Sequence, residues 1–70
     1  MRYGDVAKRL RKLGCHVMRA GKGSHRIWHN PVTGKAATVP DWGSKDLAPG
    51  TVRAIIRELG ISRREFGPIK

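Results

Sequence analysis

The sequence contains little cysteine, and this shortage excludes two kinds of stabilising site. Cys15 is the single cysteine among 70 residues, so the chain can form no intramolecular disulfide and presents no cysteine–histidine zinc pattern. The length of 70 residues predicts one small domain over residues 1–70. A chain of this length buries only about 60% of the surface that it exposes when unfolded. We therefore expect a single fold that is held together by packing alone.

Carboxylates are also scarce, which bears on metal chemistry. The five acidic residues are spread through the chain: Asp5, Asp41, Asp46, Glu58 and Glu65. A metal-dependent nuclease normally gathers several carboxylates around its ion. The sequence therefore predicts no metal site, and no motif in it points to a small-molecule cofactor.

Long apolar runs are missing as well. No stretch approaches the roughly 20 apolar residues of a membrane span. Charged residues interrupt the first twenty positions, and such interruptions exclude the apolar core of a signal peptide. We predict a soluble, cytoplasmic protein that does not act at a membrane.

Positive charge is what the sequence has in excess. Fifteen Lys and Arg residues against five Asp and Glu residues give a net charge of +10 and a pI near 11.3. Such an excess favours a polyanionic partner, nucleic acid first, because phosphate binding releases counterions. Solubility alone and an acidic protein partner remain alternatives. Basic positions spread over several elements disfavour a membrane surface.

Apolar spacing and turn residues predict a helix, three strands and a second helix. The first helix is predicted over 4–13, where apolar residues recur three and four apart and Gly14 can end it. Strands are predicted over 15–19, 25–30 and 35–39, a polar loop over 41–49, a helix over 51–59 and a short helical turn over 61–66. Ser62 and Glu65 have the spacing of a capping box for that last turn.

This element order predicts an α+β fold. We expect a two-layer α-β-β-β-α sandwich with a three-stranded antiparallel sheet and both helices on one face. The double-stranded RNA-binding domain has the same order of elements, and the second sheet face would be open for a ligand. On the middle strand His25 and Ile27 share one face while Arg26 and Trp28 share the other. Each face thus has one apolar residue, and alternation leaves undecided which face is core.

The stretch 21–28 contains the strongest candidate for a catalytic group. Two glycines flank Lys22 and predict a hairpin tip, and His25 lies just inside the strand that follows. Imidazole titrates close to neutral pH, so it can take or give a proton. Lys22, Arg19 and Arg26 supply positive charge nearby, which suits proton transfer on a phosphate ester.

The other candidate residues have plainer interpretations. Ser24 has no acidic residue near it in sequence to complete a triad, so we expect it to hydrogen-bond at the tip, to the turn or to substrate. His29 and His16 are weaker candidates for proton transfer because neither follows a glycine-rich tip. Trp28 and Trp42 can stack on unpaired bases, although packing in the core or at its rim is favoured in so small a protein.

Several motifs occur together and in order along the chain. They are the helix ending at Gly14, Gly23-Ser24-His25 before Ile27-Trp28, Thr38-Val39-Pro40, Lys45-Asp46-Leu47, and Gly50 to Ile56 before Gly60-Ile61-Ser62. In this order they closely resemble the HicA toxins of prokaryotic toxin–antitoxin systems, over nearly the whole chain. At Asp41-Trp42 the chain departs from many members, which have a histidine shortly after the Val-Pro pair.

The resemblance implies an mRNA interferase with a fold like the double-stranded RNA-binding domain, a catalytic His25 and a HicB-type antitoxin as partner. We therefore predict a metal-independent toxin endoribonuclease in which His25 is the general acid/base. Lys22, Arg19 and Arg26, together with Ser24, are expected to bind the mRNA substrate. A non-catalytic RNA-binding module and a protein-interaction domain with an acidic partner are the alternatives.

Overall fold

The computed structural model describes residues 1–69. It contains helix α1 (Tyr3–Lys12), strands β1 (His16–Ala20), β2 (His25–Asn30) and β3 (Lys35–Pro40), helix α2 (Pro49–Glu58) and the short helix α3 (Arg63–Phe66). The predicted α+β class and the α-β-β-β-α order are confirmed. The bounds of each element lie within about two residues of the predicted ones, as is usual for helix and strand ends.

The three strands form one antiparallel sheet in the order β1-β2-β3. Trp28 in the middle strand opposes Val17 on one side and Ala37 on the other. Its side chain is completely buried and contacts α1, because its Nε1 donates to the Tyr3 hydroxyl at 3.2 Å and the Arg11 guanidinium lies 5.2 Å from its ring centroid. The face with Trp28 is therefore the core face, which settles what strand alternation left undecided.

The opposite sheet face, called the open face below, bears side chains that reach solvent. It carries His16, Arg19, His25, Ile27, His29 and Thr38. A register shift in β1 just before Arg19 sets this residue opposite Ile27. Because directly opposed residues share a face, the irregularity puts the Arg19 side chain on the same side of the sheet as His25.

Both main helices bury their apolar side, as predicted. The buried residues are Val6, Ala7 and Leu10 in α1 and Val52, Ile55 and Ile56 in α2. Leu47 adds a fully buried side chain from the segment 41–49, which composition had predicted to be a polar loop. Its amide donates to the Met1 carbonyl at 2.7 Å, so this loop is anchored to the start of the chain.

The ends of the helices follow the predicted chemistry. Gly14 and Gly60 have φ angles of 89° and 72°, a region that residues with a Cβ rarely adopt. The Ser62 hydroxyl accepts from the Glu65 N–H at 3.1 Å, and the Glu65 carboxylate accepts from the Ser62 N–H at 3.1 Å. The predicted capping box is thus confirmed, and it starts α3 so that Phe66 is buried.

Candidate active site

The tip of the β1–β2 hairpin, residues 21–24, is closed by backbone hydrogen bonds. The Gly21 N–H donates to the His25 carbonyl at 2.9 Å, and the His25 N–H donates to the Lys22 carbonyl at 3.2 Å. Gly23 has a φ of 62°, which favours glycine. These bonds hold the backbone of His25 on both sides at the first position of β2, so its side chain is mounted on a strand rather than on a loop.

The His25 side chain is exposed on the open face. It lines a shallow depression of about 360 Å³ together with Gly21, Lys22, Ile27 and Thr38. Ile27 and Thr38 oppose each other across β2 and β3 and form the floor beside the imidazole. The depression opens to solvent, so the imidazole is accessible to a molecule bound there.

Two of the predicted basic residues lie on the same side as His25. Arg19 opposes Ile27 across β1 and β2, and its side chain is exposed. Lys22 is exposed at the tip and lines the same depression as His25. The structure therefore brings the Lys22 ammonium to the depression and places the Arg19 guanidinium on the same face of the sheet. Both groups can pair with a phosphate bound on that face.

Arg26 is placed differently from the other predicted basic residues. It opposes Val39 on the core face, and its Nη1 donates to the Gly23 carbonyl at 3.2 Å and to the His25 carbonyl at 3.1 Å. Its Nη2 lies 3.8 Å from a carboxylate oxygen of Asp41. The guanidinium thus stabilises the hairpin tip by hydrogen bonds from the core face, opposite to the face that carries the His25 imidazole.

Ser24 joins the tip to the segment after β3. Its carbonyl accepts from the Asp41 N–H at 2.7 Å, one residue beyond the pairing of His25 with Pro40. The Ser24 side chain is half-buried, close in sequence to both Lys22 and His25. This additional bond extends the contact between β2 and β3 and steadies the end of the sheet at which His25 lies.

Gly21 allows a close backbone contact with His25 that the sequence does not predict. A Cβ at Gly21 would lie 3.3 Å from the His25 Cβ and 3.4 Å from the His25 carbonyl oxygen. These are tight contacts, so the absence of a side chain lets the two backbones approach. The sequence signals only a turn at this glycine, whereas the close approach depends on how the hairpin closes.

The other two histidines form a pair at the far end of the open face. His16 opposes His29 across β1 and β2, and their ring centroids are 5.3 Å apart with an interplanar angle of 67°. His29 is four residues along β2 from His25, about 13 Å for an extended strand. The pair is therefore separate from the depression that contains His25.

Residues 1–69 contain neither a group of side chains able to hold a metal ion nor a helix able to span a membrane. In this part of the chain no three His, Cys, Asp or Glu side chains cluster so that they could hold a metal ion. None of the helices described there has the length and apolar character to cross a bilayer.

Fold and site together define a class, namely small, basic α+β domains that present a histidine beside a glycine-bounded hairpin tip. The family model described as "HicA toxin of bacterial toxin-antitoxin" matches residues 3–61, and the chain belongs to this family. It is similar to a protein of Pseudomonas fluorescens (strain Pf0-1) named "Probable mRNA interferase HicA", with 31% identity over 61 residues that cover 87% of this chain and 97% of that protein. No solved structure gave a significant match.

Proposed function

We propose that this protein is the toxin of a toxin–antitoxin pair and acts as an mRNA interferase, an endoribonuclease with His25 as general acid/base. The observation that carries the proposal is the exposed His25 imidazole in a depression that Lys22 also lines. Membership of the HicA toxin family and the name of the Pseudomonas relative support the same activity. The net charge of +10 favours RNA as the partner.

The proposed chemistry uses the ribose of the substrate as nucleophile. His25 removes the proton of a 2′-OH, whose oxygen then forms a bond to the adjacent phosphorus while the bond from phosphorus to the 5′ oxygen breaks. The leaving 5′ oxygen takes a proton from the imidazolium or from water. The products are a 2′,3′-cyclic phosphate and a 5′-hydroxyl. An internal nucleophile of this kind needs no metal-bound water, so we propose that cleavage is metal-independent.

The basic residues act on charge that develops at the phosphorus. Lys22 and Arg19 lie on the His25 side of the sheet and would bind the phosphate and stabilise its added negative charge. Ser24 at the tip would hydrogen-bond the ribose-phosphate chain. Arg26 would support substrate binding indirectly. Its bonds to the Gly23 and His25 carbonyls hold the hairpin tip that the substrate crosses.

A neutralising partner follows from the family. A toxin of a toxin–antitoxin pair requires a cognate antitoxin, and we propose one of HicB type. An antitoxin with an acidic surface would complement the +10 charge of this chain and, by covering the open face, would block access to His25. We place both proteins in the cytoplasm, where the mRNA substrate is found.

The test is cleavage of a purified transcript in EDTA by the parent protein and by His25→Ala. We expect His25→Ala to lower the cleavage rate by about 10²- to 10⁴-fold and to keep the affinity for RNA, because Lys and Arg supply most of the binding. His16→Ala is the matched control, since His16 is also an exposed histidine on the open face, and it should cleave at the parental rate.

Each alternative outcome assigns a different function. Cleavage by His25→Ala at the parental rate would contradict the catalytic assignment. A parent that binds the transcript with a steep salt dependence but leaves it intact would be a non-catalytic RNA-binding module. A parent that loses RNA at moderate salt and still binds an acidic protein would be a protein-interaction domain.

A further inference from the structure

The two tryptophans of this chain have opposite environments. Trp28 is completely buried and hydrogen-bonded to Tyr3, whereas Trp42 exposes 50% of its surface. An indole is the largest apolar side chain, and the exposed part of Trp42 offers a flat aromatic surface on which a ligand can bind. Trp42 thus provides an aromatic surface that the core does not use.

Trp42 lies at the His25 end of the sheet and is held there. It follows Pro40, the cross-strand partner of His25, by two residues, so its Cα is within about 12 Å of the His25 Cα. The bond between Asp41 and Ser24 at 2.7 Å fixes the start of its loop. A bond from the Lys45 N–H to the Trp42 carbonyl at 3.2 Å then closes the turn.

Lys45 gives this aromatic surface a cationic neighbour. Trp42 and Lys45 line a second depression of about 320 Å³. A flat aromatic ring next to an ammonium group matches a nucleotide, whose base stacks on the ring while its phosphate pairs with the cation.

The nearby carboxylates do not cancel this cation, because each is engaged elsewhere. Asp41 accepts from the Gly43 N–H at 3.2 Å and faces Arg26 at 3.8 Å. Asp46 lies 3.4 Å from the N-terminal ammonium of the chain. The charge around Trp42 is thus suited to an anionic partner. The flat indole beside it favours RNA over an acidic protein segment, because nucleic-acid bases stack on aromatic rings.

We propose that Trp42 stacks on an unpaired base of the substrate RNA next to the bond that is cut, and that Lys45 binds a phosphate of the same strand. This inference rests on the proposed function, because it extends the path of the RNA from the His25 depression to the loop after β3. It gives the site a preference for single-stranded RNA, since a base inside a duplex has no free face to offer the indole.

The test measures binding of a short single-stranded RNA whose 2′-hydroxyls are all methylated, so that it cannot be cleaved. Affinity is followed by anisotropy of a labelled oligonucleotide, and stacking by the fluorescence of the protein. Because Trp28 is buried, quenching by the oligonucleotide reports on Trp42. Trp42→Ala should raise Kd by about 5- to 150-fold and abolish the quenching, whereas Trp42→Tyr should restore most of the affinity.

Two further variants complete the test. Lys45→Ala should weaken binding and reduce the slope of log K against log salt by about one. Val32→Ala is the matched control, because Val32 is 82% exposed in the β2–β3 turn, at the end of β2 remote from His25. It should bind the oligonucleotide as the parent does.

The outcomes separate this inference from the proposed function. If the parent cleaves unmodified RNA but Trp42→Ala binds the oligonucleotide with unchanged affinity, the stacking site is refuted and the ribonuclease stands. If Trp42→Ala lowers only the affinity for a protein antitoxin, Trp42 belongs to a protein interface and the inference is also refuted. A folded parent that neither cleaves nor binds single-stranded RNA would refute both.

Discussion

The carbonyl oxygen of Leu59, at the end of α2, accepts two side-chain hydrogen bonds from the β2–β3 turn. The Asn30 Nδ2 and the Thr33 hydroxyl both donate to it at 2.8 Å. Asn30 is only 4% exposed and also accepts from the Val32 N–H at 3.0 Å. Because one acceptor serves two donors, we expect substitutions of Asn30 and Thr33 to be coupled in their effect on stability.

The expected size of the coupling depends on which hydrogen bonds each variant removes and which buried groups it leaves unpaired. Thr33→Val removes the bond to the Leu59 carbonyl and the exposed bond that the Thr33 hydroxyl accepts from the Lys35 N–H at 3.2 Å. The Leu59 carbonyl keeps Asn30, so this variant should cost about 0.5–1.5 kcal/mol of unfolding free energy. Asn30→Ala also removes the bond to Val32 and leaves a small cavity, so it should cost about 1–3 kcal/mol. Only the double variant leaves the buried carbonyl without either donor, which adds a penalty of about 1–3 kcal/mol.

Urea unfolding of the parent, both single variants and the double variant, followed by circular dichroism, measures the coupling. Valine has the shape of threonine, so Thr33→Val removes the hydroxyl without opening a path for water. We expect the double variant to lose at least about 1 kcal/mol more than the sum of the singles. Losses that add to within about 0.5 kcal/mol would refute the shared-acceptor reasoning.

Two further predictions concern Gly21 and Cys15. Gly21→Ala should slow RNA cleavage by about 3- to 30-fold without lowering RNA affinity. The new Cβ would lie only 3.3 Å from the His25 Cβ and would displace the imidazole. Gly4→Ala is the control, because its Cβ meets no atom within 4 Å, and it should cleave at the parental rate. Burial raises the pKa of the Cys15 thiol, so the folded chain keeps this proton to higher pH than the unfolded chain. Its contribution to stability should be complete below the ordinary thiol pKa and decline above about pH 8.5. Urea midpoints should show a shallower alkaline decline for Cys15→Ala, and an equal decline in both proteins would contradict the assignment.

Much of the fold could be predicted because the local signals agree with the tertiary structure. In α2 the apolar spacing sets the buried side, and Gly60 with a φ of 72° ends the helix as its position predicts. The Ser62 and Glu65 capping box is equally local. Each of these signals depends on residues within about one turn of chain, so no knowledge of distant contacts is needed.

The core face of the sheet could not be predicted, because β2 offers a large apolar residue to each side. Ile27 and Trp28 are equivalent under strand alternation, and the choice depends on α1. Tyr3 and Arg11 contact the indole of Trp28, and both lie far from it in sequence. The burial of Leu47 within a polar segment has the same origin, since it depends on pairing with the start of the chain.

The same limit applies within the candidate site. A local pattern of glycines and charge identifies His25 and Lys22, and the structure places both at one depression. Proximity in sequence groups Arg26 with them, yet Arg26 lies on the core face. Strand alternation already separates Arg26 from His25, whereas the contact with Asp41, which lies beyond β3, is not visible in the stretch 21–28.

Strand β2 divides its residues between anchors on the core face and side chains presented on the open face, where we propose the chemistry to occur. The even positions are all anchored on the core face: Arg26 to the tip carbonyls, Trp28 to α1 and Asn30 to the end of α2. The odd positions, His25 among them, are thereby presented on the open face by a backbone that is held at both ends and in the middle. The imidazole that we propose as general acid/base works best when the backbone that carries it does not move. In a chain of this size, with little core to spare, one strand that is anchored on alternate residues provides that fixed backbone.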